Sequence, residues 1–130
     1  MSTHRLNNLA EQVRQVLSYA LSFEMRDPGF DGVTITRVRL SPDLQFADVL
    51  FTELDDDTNP EVPIESFRRA KGALKRIVAQ RVQMRRVPEL RFHVDEDVVA
   101  ERRIGKILET MHQNDDQADA TDAASGETQE

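Results

Sequence analysis

The chain has 130 residues, of which 38% are hydrophobic and 32% charged, and it contains no cysteine. This length and composition fit one globular domain with a single core. The lack of cysteine excludes disulfides, cysteine-ligated metals and thiol catalysis. No apolar run reaches the roughly 20 residues that a membrane span needs, and the N-terminus lacks the apolar core of a signal peptide. We therefore expect a cytoplasmic protein with no membrane association.

The net charge of −7 conceals an uneven distribution along the chain. Residues 1–67 carry five basic and twelve acidic side chains, and residues 92–130 carry three and eleven. Residues 68–91 carry nine basic side chains and one acidic side chain, a local charge of +8. This segment points to an anionic partner, although the protein as a whole is acidic.

The first part of the chain predicts a helix followed by a β-hairpin. Apolar residues recur at three- and four-residue spacing over residues 6–23, which is typical of one helix face. The helix should end before Asp27-Pro28-Gly29, because a proline disfavours helical geometry in the preceding residue. β-branched residues at 33–40 and an apolar run at 46–52 predict two strands joined by a turn. A change of apolar parity within the first strand suggests a bulge.

The middle of the chain predicts an acidic loop and then a broken helix. Residues 53–63 show no periodicity. Helical spacing resumes at Ile64 and lasts until about Val82. Gly72 lies inside this stretch, where a glycine costs about 1 kcal/mol relative to alanine. Gly72 therefore either marks a kink in the helix or lets another group approach the backbone closely.

The last part predicts a strand at residues 90–94, a short helix at 100–111 and an acidic tail. Residues 113–130 contain six acids, no bases and no apolar residue larger than alanine, so their composition predicts disorder. The three strands must form one sheet. We expect an α+β domain over residues 1–112, with its helices on one face of that sheet.

The basic residues of the second helix lie mostly opposite its apolar face, and others continue beyond its end. A solvated helix face normally mixes lysine with glutamate, which form stabilising pairs, but no acid occurs between Arg68 and Pro88. Clustered bases without acids favour phosphate binding. Arg37 and Arg39 in the first strand are weaker candidates, since they fit the solvent side of a sheet equally well. The predicted nucleic-acid-binding residues of the helix and its extension are Arg68, Arg69, Lys71, Lys75, Arg76, Arg81, Arg85 and Arg86.

Aromatic residues are too scarce to predict a base-stacking platform. There is no tryptophan, and the single tyrosine, Tyr19, lies on the first helix. Sheet platforms that read unstacked bases rely on exposed aromatic side chains. Recognition of a nucleic acid is therefore expected to depend on backbone and shape. The phenylalanines that occupy predicted core positions are Phe46, Phe51, Phe67 and Phe92.

Two other classes of function are open at this point. The basic helix could dock an acidic protein, which would make the chain a protein-interaction module. Asp55-Asp56-Asp57 could hold Mg²⁺ in a metal-dependent nuclease, but no second group nearby completes a coordination shell. The three histidines lie far apart in the sequence, and no catalytic triad or carboxylate pair is apparent. We expect no metal, no cofactor and no enzymatic activity.

Several short motifs resemble the ribosome-binding factor A family over residues 4–110. The order of elements is that of a type II K-homology domain whose Gly-x-x-Gly loop is replaced. Ala70-Lys71-Gly72 stands in its place and is similar to the Ala-x-Gly kink of that family. The other matching strings are Asp27-Pro28, Val33–Val38, Ser41–Leu44, Arg85–Phe92 and Arg103-Ile104.

The resemblance implies a non-enzymatic cytoplasmic factor. Such a factor binds the immature 30S ribosomal subunit through its 16S rRNA, assists late maturation and rRNA processing, and matters most in the cold. We further expect a monomer that needs no cofactor.

Overall fold

A computed structural model describes the backbone of residues 3–55 and 59–125 and the side chains of residues 3–55 and 59–112. One compact unit ends at Asp95, and a second unit begins at Glu96. The elements are helix α1 (Thr3–Phe23), a 3-10 turn (Pro28–Phe30), strand β1 (Val33–Leu40), strand β2 (Phe46–Glu53), helix α2 (Glu61–Arg81), strand β3 (Glu89–Val94) and helix α3 (Glu96–Ser125).

The three strands form one mixed sheet in the order β1-β2-β3. Strands β1 and β2 are antiparallel, as a hairpin requires, and the register shifts between Ile35 and Arg37. This shift confirms the predicted bulge. Strand β3 runs parallel to β2, because helix α2 carries the chain back across the sheet before β3 begins. The predicted order of elements and the α+β class are confirmed.

Helices α1 and α2 pack on one face of the sheet and share a single core with it. The apolar stripe of α1 and that of α2 bury their side chains against alternate residues of the strands, as the two periodicities require. The largest fully buried apolar residues of this core are Val13, Leu17, Val49, Phe51, Phe67, Leu74, Val78 and Leu90.

Helix α2 is one continuous helix of 21 residues, so a break into two helices at Gly72 is not found, and a kink at this residue stays a prediction. Ala70 and Leu74, on either side of Gly72, are both buried in the core. Burial of a leucine side chain contributes about 2 kcal/mol, which exceeds the cost of about 1 kcal/mol for an interior glycine. Tertiary packing therefore keeps the helix intact through Gly72.

Helix α3 is longer than expected, because it continues through Ser125 instead of ending near Met111. The prediction rested on the lack of core-forming residues, whereas alanine and glutamine in this segment have favourable helix propensity. The helical backbone extends as far as Ser125, and the expectation of a disordered tail over residues 113–130 stays a prediction. Residues 126–130 lie outside the described part of the chain. The proposed domain boundary at residue 112 stays a prediction.

Candidate nucleic-acid interface

The basic residues of α2 lie on the side of the helix that faces away from the core. Phe67, Leu74 and Val78 are buried, whereas Lys75 and Arg76 are exposed. This arrangement follows from the helical period, which places residues 75 and 76 opposite the buried stripe. The structure therefore brings the predicted stripe to the surface.

Five of the nine bases of residues 68–91 are paired with acids, and four of those acids lie outside this segment. Arg69 Nη2 lies 2.8 Å from Asp27 Oδ2, and Arg81 Nη1 lies 2.8 Å from Glu24 Oε2. These acids belong to the end of α1 and the turn that follows it. The fold thus neutralises cations that have no acidic neighbour in the sequence. The remaining pairs are Arg68 with Glu65, Lys71 with Glu89, and Arg91 with Asp48.

The other four bases are Lys75, Arg76, Arg85 and Arg86, which we call the free cations. All four are exposed, and within residues 3–55 and 59–112 no carboxylate lies in ion-pair contact with them. The pKa of the nearby Glu89 is lowered, first by its hydrogen bond from Lys71 and at longer range by the charge of Lys75. Positive potential is therefore concentrated at this part of the surface.

Three of the free cations border a groove of about 550 Å³, which we call the basic groove. Gly72 and Ala79 are the small residues of its floor, and a Cβ added to Gly72 would meet only Arg76 Nη1, at 3.8 Å. A smaller hollow of about 170 Å³ shares Lys75 and Arg86 with it and extends to the β1–β2 turn. The residues lining the basic groove are Gly72, Lys75, Arg76, Ala79, Arg86 and Val87.

The chemistry of the basic groove suits a sugar–phosphate backbone. Lysine and arginine donate charge-assisted hydrogen bonds to phosphate oxygens, and a floor without large side chains allows close approach. Among the described residues, no cluster of histidine and carboxylate side chains could hold a metal ion. Of the predicted Mg²⁺ ligands, Asp56 and Asp57 lie outside the described part.

Arg69 contributes to packing between α2 and the turn after α1. Asp27 Oδ1 accepts a hydrogen bond from the backbone N–H of Gly29, and Asp27 Oδ2 accepts one from Arg69. A Cβ added to Gly29 would come within 1.9 Å of Ser66 Oγ, so only glycine fits against α2 here. The pKa of Asp27 is lowered by the Gly29 N–H and then by Arg69. The Asp27-Pro28-Gly29 string is thus a packing motif.

Arg37 is held by a buried carboxylate. Its Nε and Nη2 donate to Asp95, each at 3.1 Å, and Thr36 Oγ1 donates to the same side chain at 2.6 Å. Asp95 is fully buried, whereas Arg39 is exposed and lies opposite Asp48 in the sheet register. Neither arginine lines the basic groove. Arg37 is partly exposed, as a residue on the solvent side of the sheet would be, but its guanidinium is also held by Asp95.

Three aromatic residues are exposed in the structure, and one of them, Phe46, was predicted to lie in the core. Phe46 is 36% exposed, and the Arg91 guanidinium carbon lies 4.2 Å from the centre of its ring. Tyr19 and Phe23 are 54% and 73% exposed. The sequence pattern indicated that Tyr19 and Phe23 are exposed, because both residues fall outside the apolar face of α1. Phe51 and Phe67 are buried as predicted.

Comparison with known proteins gives a consistent result. Residues 5–108 match the family described as ribosome-binding factor A. The chain is 36% identical over 115 residues to ribosome-binding factor A of Marinomonas sp., covering 86% of this chain and 89% of that one. It is 35% identical over 107 residues to the Chromohalobacter salexigens protein, covering 81% and 82% of the two chains.

Solved structures of the same family share the fold. The crystal structure of ribosome-binding factor A from Thermus thermophilus superposes with a TM-score of 0.63 at 28% identity, covering 68% of this chain and 93% of that one. A homology model of the T. thermophilus protein, fitted into a cryo-EM map of its 30S complex, gives a TM-score of 0.56 at 28% identity, over 68% and 92% of the two chains. No helix in the described part of this chain is long and apolar enough to cross a membrane. The chain belongs to the ribosome-binding factor A family.

Proposed function

We propose that this protein binds the small ribosomal subunit through 16S rRNA, with the basic groove in contact with the phosphate backbone. The observation that carries the proposal is the basic groove with three free cations at its border, Lys75, Arg76 and Arg86, and the fourth, Arg85, next to Arg86 in the chain. Exposed cations that no carboxylate neutralises repel one another, and a polyanion relieves that repulsion. The T. thermophilus relative fitted into a 30S complex supports the choice of partner.

The predicted RNA-binding residues take different parts in this proposal. Lys75, Arg76, Arg85 and Arg86 contact phosphates directly. The other predicted bases of the segment have protein partners, so they contribute to the surrounding field or to packing. Arg39 is a peripheral candidate, and Arg37 serves the fold. The members with protein partners are Arg68, Arg69, Lys71 and Arg81.

We further propose that the bound subunit is immature and that the protein assists late maturation and rRNA processing, with most effect in the cold. In this proposal the protein acts as a cytoplasmic monomer, has no enzymatic activity and uses no cofactor. The support is membership of the ribosome-binding factor A family and the role in subunit maturation that this membership implies.

The test is cosedimentation with free 30S particles after charge reversal in the groove. Lys75→Glu with Arg76→Glu should release the protein from 30S particles, because two phosphate contacts are replaced by two repulsions. Both residues are exposed, so the melting temperature should change by no more than about 2 °C. A matched control is Arg14→Glu with Arg26→Glu, which makes the same change of net charge in the same unit but outside the residues that line the groove.

Release by the groove variant and retention of the control would support the proposal. If both variants remain bound at low salt, the basic groove is only a solvated surface. If both are released, net charge governs binding, and the groove has no special role. Loss of binding to a purified acidic ribosomal protein, with unchanged binding to rRNA, would instead make this chain a protein-interaction module.

A further inference from the structure

Helix α1 presents an aromatic pair to solvent, which we call the aromatic patch. Tyr19 and Phe23 are 54% and 73% exposed, and their ring centroids lie 4.8 Å apart. They lie one turn apart on the side of α1 that does not face the core. Exposed aromatic rings are enriched where proteins meet a partner. The patch therefore needs an explanation other than packing within this unit.

Polar side chains on the same face of α1 extend this surface. Asn8 and Gln12 precede Tyr19 at helical spacing, so all three share one face with Phe23. The two amides border a hollow of about 330 Å³ together with Gln83. Side-chain amides offer both donors and acceptors, as base edges do. The remaining residues that line this hollow are Arg5 and Leu9.

The acid nearest the aromatic patch is already neutralised. Glu24 follows α1, and its carboxylate accepts a hydrogen bond from Arg81 Nη2 and forms an ion pair with Arg81 Nη1. The pKa of Arg81 is raised, chiefly by the hydrogen bond to Glu24. An anionic strand passing over the aromatic patch would therefore meet an ion pair, not a bare carboxylate.

The α1 face is continuous with the basic groove through the segment that joins α2 to β3. Gln83 lines the α1 hollow, and Arg86, three residues later, lines the basic groove. Three extended residues span about 10 Å, which is less than two nucleotides of a stretched strand. One nucleic-acid strand can thus reach both surfaces.

We propose that the face of α1 formed by Asn8, Gln12, Tyr19 and Phe23 contacts the bases of single-stranded RNA, with one unstacked base against the aromatic patch. The proposal rests on the proposed function, since the same strand places its phosphates in the basic groove. An aromatic ring stacks on the face of any base, so this contact adds affinity with little sequence preference. The chain then recognises unpaired rRNA rather than duplex.

Tyrosine fluorescence reports this contact directly, because Tyr19 is the single tyrosine and there is no tryptophan. The full chain is titrated with a 12-nucleotide single-stranded RNA of mixed sequence and with an abasic oligonucleotide of the same length and backbone. Stacking of a base should quench the emission of Tyr19 with the RNA but not with the abasic strand. Binding of the RNA without quenching would overturn the proposal.

A double variant of the aromatic patch, compared with a control variant, separates the contribution of this surface to RNA binding from that of the basic groove. Tyr19→Ala with Phe23→Ala should weaken binding of the 12-nucleotide RNA about tenfold or more, because one stacked base is lost. The dependence of its affinity on salt should stay as in the parent, since no cation is removed. The control Leu54→Ala removes an apolar side chain that is 87% exposed and lies after β2.

The possible failures differ from one another. If the parent shows no salt-dependent binding to RNA, both the proposed function and this inference fail. If the parent binds with the expected salt dependence but the aromatic variant binds equally well, only the base contact fails. If the aromatic variant keeps its affinity for RNA and loses 30S particles, the patch contacts a ribosomal protein, and the inference is again overturned.

Discussion

Arg68 and Arg76 lie about two turns apart on the same exposed side of α2, yet their surroundings differ. Arg68 donates to both carboxylate oxygens of Glu65, each at 2.7 Å. Arg76 has no such carboxylate among the described residues and borders the basic groove. Two arginines that look alike in the sequence are thus a neutralised residue and a free cation.

This difference shows that the charge of a segment overstates the charge it presents. Residues 68–91 carry a local charge of +8. The fold, however, places acids from β2, from the end of α1 and from the turn after α1 against several of these bases. Coulomb attraction to a polyanion is reduced where a carboxylate already lies within 3 Å of the cation. The affinity for RNA should therefore depend on the four free cations and not on the total charge of the segment.

The largest effect is expected where a cation is bound to a buried acid. Asp95→Ala removes the fully buried carboxylate that holds Arg37 and Thr36. Loss of hydrogen bonds to a charged group costs about 1.5–3 kcal/mol, so the melting temperature should fall by roughly 5–15 °C. Thermal unfolding followed by circular dichroism measures this. Asp48→Ala, at a partly exposed pair, should cost no more than about 1 kcal/mol.

A smaller effect, on binding instead of stability, separates Arg76 from Arg68. Arg76→Ala should weaken binding of single-stranded RNA several-fold and reduce the salt slope by about 0.7, the share of one phosphate contact. Arg68→Ala should leave both quantities unchanged within error. Fluorescence anisotropy with a labelled oligonucleotide gives both values. Equal losses in the two variants would show that ion pairing with Glu65 does not remove Arg68 from the interface.

Gly72→Ala tests whether the floor of the basic groove matters. A methyl group here meets only Arg76 Nη1 at 3.8 Å, so alanine fits, and its better helix propensity should raise stability by up to about 1 kcal/mol. The groove becomes shallower, and RNA affinity should fall a few-fold. Urea denaturation and anisotropy measure the two effects. A more stable protein with unchanged affinity would reduce Gly72 to a tolerated helix residue.

The smallest effect is expected from removing residues 113–130. The segment carries six acids and no bases, so truncation changes the net charge from −7 to −1. Repulsion of RNA should decrease, and non-specific affinity should rise modestly at low salt. The melting temperature should stay within a few degrees, because the core lies in the unit that ends at Asp95. A larger drop would show that this segment stabilises the fold.

Local patterns were sufficient to predict the elements, the hairpin and the bulge. Val13, Leu17, Leu74 and Val78 show helical periodicity in the sequence and are buried in the structure. Where local propensity and tertiary packing disagree, packing decided the outcome. Gly72 illustrates this, since burial of Leu74 keeps α2 intact through the glycine.

The candidate interface was predictable only in part, because ion pairs join residues that are distant in the sequence. Arg69 and Asp27 are 42 residues apart, and Arg81 and Glu24 are 57 apart. No periodicity in the chain indicates such pairs. The cluster of bases was visible in the sequence, but its division into paired residues and free cations required the fold.

The salt dependence of RNA binding tests this division most directly. If the four free cations carry the contact, log K for single-stranded RNA should fall with log salt at a slope of about −2.8, from about 0.7 per neutralised phosphate. Replacing all four with alanine should bring the slope close to zero in a protein that still folds. A parent slope near −6 would mean that nearly all nine bases of residues 68–91 contact phosphates, and would contradict the account.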